Sequence, residues 1–258
     1  MMLHIAAFGL ITAASLDFCA DQYLLALAEP AEIVALSPGA DEDDSYLREK
    51  ARGIHKARPA VEEIAPLKPD IVFRFWGGAP RMSEILSRFG GEVVTLAYPE
   101  NFDIVRANIG LVAEKLGRPE RGAALLADLD RRLAALARRP PTKVVALYVT
   151  PGGVTAGRHT MIDAIFSAAG VRNAASENDY WPAFPAETLL RRPPQLIVTG
   201  FFEATTEYVN HWSATGHPAF RKAFAQTPSI HLPADIVSCP AWFAVDAAEM
   251  IADEAARL

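Results

Sequence analysis

The stretch 117–140, GRPERGAALLADLDRRLAALARRP, most constrains how this chain can fold. It opens on Gly117-Arg118-Pro119, a stop-and-restart signal, and after Gly122 no glycine or proline recurs until Pro140. Leu125, Leu126, Leu129, Leu133 and Leu136 recur at helical spacing, with Asp128, Asp130, Arg131 and Arg132 on other faces. Arg138 and Arg139 put cations at the negative end of the helix dipole, just before two prolines. At about 1.5 Å per residue such a helix reaches roughly 30 Å, the diameter of a small domain. It is either one long surface helix or a strut between two lobes. Similar βα patterns on both sides of it favour the strut.

A chain of 258 residues can form one large domain or two lobes of about 120 residues. Hydrophobic residues make up 51% and charged residues 22%, which is enough apolar surface for a substantial core. The net charge of −6 and the absence of a Lys/Arg-rich run argue against nucleic acid as a partner. Two cysteines, Cys19 and Cys239, are too few for a disulfide-dense scaffold or a four-ligand zinc site; they form one disulfide or two buried thiols. The opening MMLHIAAFGLITAA is as apolar as the core of an export signal, but it lacks a Lys/Arg-rich start and is too short to cross a bilayer as a helix.

The N-terminal half alternates short strands and helices. Strands are expected at 11–16, 32–37, 71–75 and 92–97, and helices at 22–28, 61–67, 81–89 and 101–116. Asp17 to Asp21 reads as a turn into the first helix, and the acids Asp41, Glu42, Asp43 and Asp44 as a solvated loop. After the strut the pattern restarts. Strands are expected at 143–149, 195–199 and 229–232, with helices at 159–169, 218–224 and 246–258. A further short helix follows Phe184-Pro185. LKPDIVFRFWGG and RRPPQLIVTGFF occupy corresponding places in the two halves. The expected fold is α/β: two lobes, each with a mainly parallel sheet flanked by helices, joined by one long helix. The expected lobes are 1–116 and 141–258, with 117–140 as the interlobe helix.

In open α/β sheets ligands sit beyond the carboxyl ends of the strands. The loops there carry Asp17-Phe18, Phe75-Trp76-Gly77-Gly78, Tyr98-Pro99, Gly152-Gly153, Tyr180-Trp181-Pro182, Phe201-Phe202 and Ala241-Trp242-Phe243. Flat apolar rings with few charges suit a large, partly hydrophobic ligand held by contact area. No nucleophile elbow, phosphate loop, H-E-x-x-H or C-x-x-C is found, and the six histidines include no pair at metal-ligand spacing. Neither a catalytic residue nor a bound metal or intrinsic cofactor is expected. His159, after Arg158 and a Gly-rich loop, either touches a ligand or opens the helix there, with Asp163 placed to orient it.

The elements LKPDIVFRFWGG, TAGRHTMIDAIFSAAGVRNAA, YWPAFPAETLLRRPPQLIV and PAWFAVDAAEMIADEA, in this order, resemble the periplasmic solute-binding proteins of ABC importers. The resemblance runs over nearly the whole chain. It is to the subfamily whose two lobes are joined by one rigid helix (class III), which binds cobalamin, haem or ferric siderophores, and is greatest to the cobalamin binders. It implies a monomer that delivers its ligand to membrane permease subunits. The ligand contacts expected from the strand-end loops are Asp17, Phe18, Phe75, Trp76, Gly77, Tyr98, Arg158, His159, Trp181, Phe201, Trp242 and Phe243, and among them the resemblance implies Trp76 or Phe75, Trp181, Trp242 and Phe243. Family members dock through one acid on each lobe. Here Arg81 stands where the first is expected, with Glu84 one turn later, and Glu203 or Glu207 is the second. A siderophore would call on Arg74 and Arg158; a haem would need an axial Tyr98, Tyr180 or His159. A two-lobe metal-handling enzyme or a cytosolic ligand sensor is the reading of another class. Periplasmic location follows from the resemblance alone.

Overall fold

The structure, a computed structural model, describes residues 11–201 and 216–258. The expectations for Glu203 and Glu207 and for the opening residues 1–10 lie outside the described residues. The chain divides into two compact units, one of residues through Ala97 with Ile109–Gly122 and the other of Tyr98–Asn108 with Ala123–Leu258. Each unit is built on a four-stranded, all-parallel sheet. The first has order β2-β1-β3-β4, with β1 Ala13–Ser15, β2 Ile33–Ala35, β3 Ile71–Arg74 and β4 Glu92–Thr95. The second has order β6-β5-β7-β8, with β5 Val145–Val149, β6 Arg172–Asn173, β7 Leu196–Gly200 and β8 Ser229–Leu232. The two orders correspond strand for strand.

The central strands of a parallel sheet are covered on both faces, so they read as unbroken apolar runs. That is why AAS, IVFR, VALYV and LIVTG carry the interior of the two sheets. Around them Leu16, Ile64, Val72, Met82 and Leu86 pack in the first unit, and Leu147, Phe184, Leu189, Ile197 and Phe220 in the second. The helix Pro119–Ala137 carries the chain from the first unit into the second. Its apolar stripe buries Leu129 and Leu136. At its start Arg118 pairs with the buried Glu32, and Arg121 pairs with Glu29 while donating to the Ala28 carbonyl at 2.9 Å, just past the helix Phe18–Leu27. Further along, Arg132 forks onto Asp246 and Glu249 of the helix Ala244–Ala255, with its Nε 2.9 Å from Glu249, and Arg139 meets Asp253 at 2.6 Å.

Several elements differ from the sequence expectation for local reasons. The first helix begins at Phe18 and not at Gln22, because the Asp17 carboxylate caps it by accepting from the Ala20 N–H at 2.9 Å. The two-residue β6 and the four-residue helices Arg48–Ala51 and Ala234–Val237 are too short to leave a periodic pattern. The acids 41–44 lie in turns, with Asp41 paired to Lys56 at 2.9 Å.

Asp21 is wholly buried in the first unit. Its carboxylate accepts from the Ser37 N–H at 3.0 Å, the Ser37 hydroxyl at 2.6 Å and the Ser15 hydroxyl, tying the ends of β1 and β2 together. Burial outweighs these bonds and pushes the acid up to about 7. A folded-state pKa above the unfolded value favours folding while the acid is protonated. That contribution is complete below about 4 and lost as pH rises through about 7. Denaturation at pH 5.5 and pH 8 is therefore expected to show Asp21→Asn gaining on the natural protein as pH rises, by about 2 kcal/mol; parallel pH profiles would overturn this.

Candidate functional site

In the first unit β1 leads into Leu16-Asp17-Phe18 and β3 into Phe75-Trp76-Gly77-Gly78. Beyond the last ladder bond the backbone N–H groups of the second loop need acceptors. The second oxygen of Asp17 takes three of them, from Phe75 at 2.8 Å, Trp76 at 3.2 Å and Gly77 at 3.1 Å. The loop can fold this tightly because residue 77 is glycine: a Cβ there would stand 2.2 Å from the Leu16 carbonyl oxygen. Asp17 is thus a scaffold group with both oxygens engaged by backbone N–H groups. Phe75 is a core ring, against Tyr23 and Trp76 with centroids 5.8 Å away in each case. Trp76 is the ring left in the open, 48% exposed, with Phe18 edge-on to it at 6.3 Å.

In the second unit the loop after β5 and the segment before Phe184 zip into a ribbon. Thr155 N–H donates to Pro182 O at 3.0 Å, Gly157 N–H to Tyr180 O at 2.7 Å, Tyr180 N–H to Arg158 O at 2.8 Å and Arg158 N–H to Asn178 O at 2.8 Å. The Arg158 guanidinium closes the ribbon by forking onto Asp179, Nε and Nη2 each at 3.0 Å. His159 and Tyr180 are held in the left-handed region, at φ 60° and 58°, with rings 5.8 Å apart. Trp181, 46% exposed, rests edge-on against Tyr148 at 6.2 Å. His159 does not open the helix Met161–Ala168. Thr160 does, its hydroxyl accepting from the Asp163 N–H at 3.2 Å. Asp163 accepts from Asn173 Nδ2 at 2.8 Å instead of orienting the imidazole.

These side chains line a cavity of about 220 Å³ whose wall includes Tyr98, Glu100, His159, Tyr180 and Trp181. Glu100, His159 and Thr160 also line a more polar cavity of about 470 Å³ that adds Asn101, Asp103 and Asp163. Desolvation pushes the Tyr98 phenol above its usual value, so the hydroxyl stays a neutral donor. Two carboxylates flank His159, Glu100 at 3.9 Å from Nδ1 and Asp179 at 3.7 Å from Nε2. Sequence reasoning missed both, since an acid beside a Tyr-Pro or Tyr-Trp pair reads as ordinary loop polarity.

The remaining expected residues fall elsewhere. Phe201 follows β7 half-buried, at φ 64°. Trp242 and Phe243 are buried, the latter 1% exposed, and stack edge-on at 5.3 Å ahead of the helix Ala244–Ala255. Glu84 is exposed on the helix Met82–Arg88 and pairs with Arg88 at 2.6 Å. Neither cysteine is a free thiol; both are disulfide-bonded. No group of three or more His, Cys, Asp or Glu that could hold a metal ion occurs among the described residues.

Two parallel sheets clad in helices, with open rings on their strand-end loops, describe the architecture of a class III solute-binding protein. The profile of the family described as "Periplasmic binding protein" matches residues 14–210, and the chain belongs to that family. The Vitamin B12-binding protein of Pectobacterium atrosepticum is 28% identical over 151 residues, 54% of each chain, so this chain spans about half the length of the curated relatives it matches. Among solved structures, the periplasmic heme-binding protein BhuT with two hemes superposes with TM-score 0.76 at 22% identity, over 95% of this chain and 98% of its own. The periplasmic vitamin B12 binding protein BtuF of Vibrio cholerae superposes with TM-score 0.70 at 21% identity, over 96% and 97%. The two superpositions share the fold, and solute binding is the family's established role.

The Asp17 scaffold predicts the cost of losing it. Asp17→Ala strands three loop N–H groups and uncaps a helix, and is expected to lower the unfolding free energy by about 2–4 kcal/mol in chemical denaturation. Gly77→Ala is expected to cost a similar amount through its clash with Leu16. A neutral result for Asp17→Ala would remove it from this role.

Proposed function

We propose that this protein is the substrate-binding component of an ABC importer, that it works in the periplasm as a monomer without catalytic activity, and that its ligand is a corrinoid. The observation that carries the ligand choice is the lining of the second unit's smaller cavity. Its open groups are the rings of Tyr98, Tyr180 and Trp181 beside one carboxylate, Glu100, while the neighbouring Arg158 is committed to Asp179. Rings supply contact area, and Glu100 accepts hydrogen bonds. A macrocycle with uncharged amide arms suits such a wall, whereas a haem propionate or an anionic iron chelate would meet a carboxylate, with no guanidinium among the described lining residues. The curated relatives named for vitamin B12 support the same choice.

In this reading Trp76 and Phe18 of the first unit and Tyr98, His159, Tyr180, Trp181 and Phe201 of the second touch ligand. Asp17, Gly77 and the Arg158–Asp179 fork hold the loops. By chain position the proposed functional division is a first lobe of 1–116, a connecting helix of 117–140 and a second lobe of 141–258, with Tyr98–Asn108 of the first stretch packing into the second compact unit. Glu84 and one of Glu203 and Glu207 are the proposed acids for the permease. Haem is the second reading, favoured by His159, Tyr98 and Tyr180 as available axial groups and by the superposition on BhuT.

Calorimetric titration with cyanocobalamin decides between them. Saturable binding is expected, with Trp76→Ala and Trp181→Ala each weakening it by roughly 1–3 kcal/mol. Tight binding of haem or a ferric siderophore with none of the corrinoid would overturn the ligand choice and leave family membership intact.

A further inference from the structure

His159 occupies a backbone conformation that glycine would adopt without strain, at φ 60°. A side chain kept at such a position, over-determined by surrounding structure, points to a use for that side chain. The over-determination is visible. The ribbon bonds at Gly157 and Arg158 and the Arg158–Asp179 fork on one side, and the Thr160 cap on the other, fix the path of its backbone. The imidazole does no structural work in return. It caps no helix, it is more than half exposed, and among the described residues neither ring nitrogen is within hydrogen-bond distance of a partner. It borders two cavities of the second unit, of about 220 and 470 Å³.

We infer that His159 is a metal ligand of a particular kind, one axial donor to the cobalt of the bound corrinoid. This rests on the corrinoid reading above. One imidazole cannot hold a free ion, and the described residues offer no multidentate cluster. A cobalt whose four equatorial positions are filled by the macrocycle needs only one more donor. The flanking Glu100 and Asp179 are the outer partners such a ligand uses: whichever nitrogen binds, the other faces a carboxylate that can orient the ring. Tyr180 walls the opposite side at 5.8 Å. The step is a ligand exchange without redox change. One Co–N bond forms, one Co–O bond to an axial water breaks, and the water leaves.

The test uses the reduced Co(II) form of cobinamide, which carries no nucleotide base, so any nitrogen on its axis comes from protein. Electron paramagnetic resonance of the complex is expected to show a three-line nitrogen splitting that becomes two lines in protein labelled with ¹⁵N-histidine. In His159→Gly the splitting is expected to vanish and affinity to fall about tenfold or more. The same variant should melt at the same or a higher temperature, because glycine relieves the left-handed strain. Cobinamide bound without nitrogen splitting in the natural protein would overturn the inference while leaving corrinoid binding in place. Failure of both cobinamide and cyanocobalamin to bind would overturn the two together. Splitting that persists in His159→Gly would assign the axial nitrogen to another residue and sink the inference, and His159→Gln gives the same readout if the glycine variant folds poorly.

Discussion

Where a parallel strand ends, its last N–H groups lose their neighbour, and a loop that must stay at the sheet's rim has to find other acceptors for them. The rest of this structure depends on how that demand is met. In the first unit one buried carboxylate, Asp17, takes three N–H groups of the 75–77 loop and a fourth from the helix it caps. Among the described residues of the second unit no single side chain does this. Two loops pair with each other, and the Arg158–Asp179 fork locks the pairing. The two units share a strand order but meet the same requirement with different chemistry.

Both solutions decide which rings remain open. Asp17 draws residues 75–77 down onto the sheet edge, which sinks Phe75 into the core and leaves Trp76 outside. The ribbon turns His159 and Tyr180 through left-handed backbone, so both rings stand out of the strand end instead of folding beneath it. Strain at two adjacent positions is tolerable because five or more surrounding bonds fix the path. A contact surface built this way is pre-organised, with little left to order when a ligand arrives.

The strand and helix pattern was legible because each central strand is a short apolar run and each covering helix an amphipathic one. The runs IVFR and SIHL fall within a residue of their expected places. The elements that escaped notice, β6 and two four-residue helices, are shorter than the period that would reveal them. The strand-end rings were legible as a class, but their orientation was not. Nothing in the sequence separates Phe75 and Phe243, which face inward, from Trp76 and Trp181, which do not; the difference lies in Asp17 and in long-range backbone pairing. Asp17 itself read as a ligand contact because a carboxylate at a strand end has the same sequence signature whether it binds a ligand or its own backbone. Asp21 read as part of a turn, yet it is a buried acid holding two strand ends.

The all-parallel register also bears on how the chain reaches its native state. Ala13 pairs with Ile71, and Ala146 with Leu196, so in each unit the innermost ladder forms only after a long excursion has been closed. Loop closure of that length precedes any reward from pairing, which slows assembly and leaves Val- and Ile-rich segments unpaired in the meantime. A nascent chain of this kind stays open, and accessible to a chaperone that keeps it from sticking to its neighbours, for longer than a helical bundle of the same size.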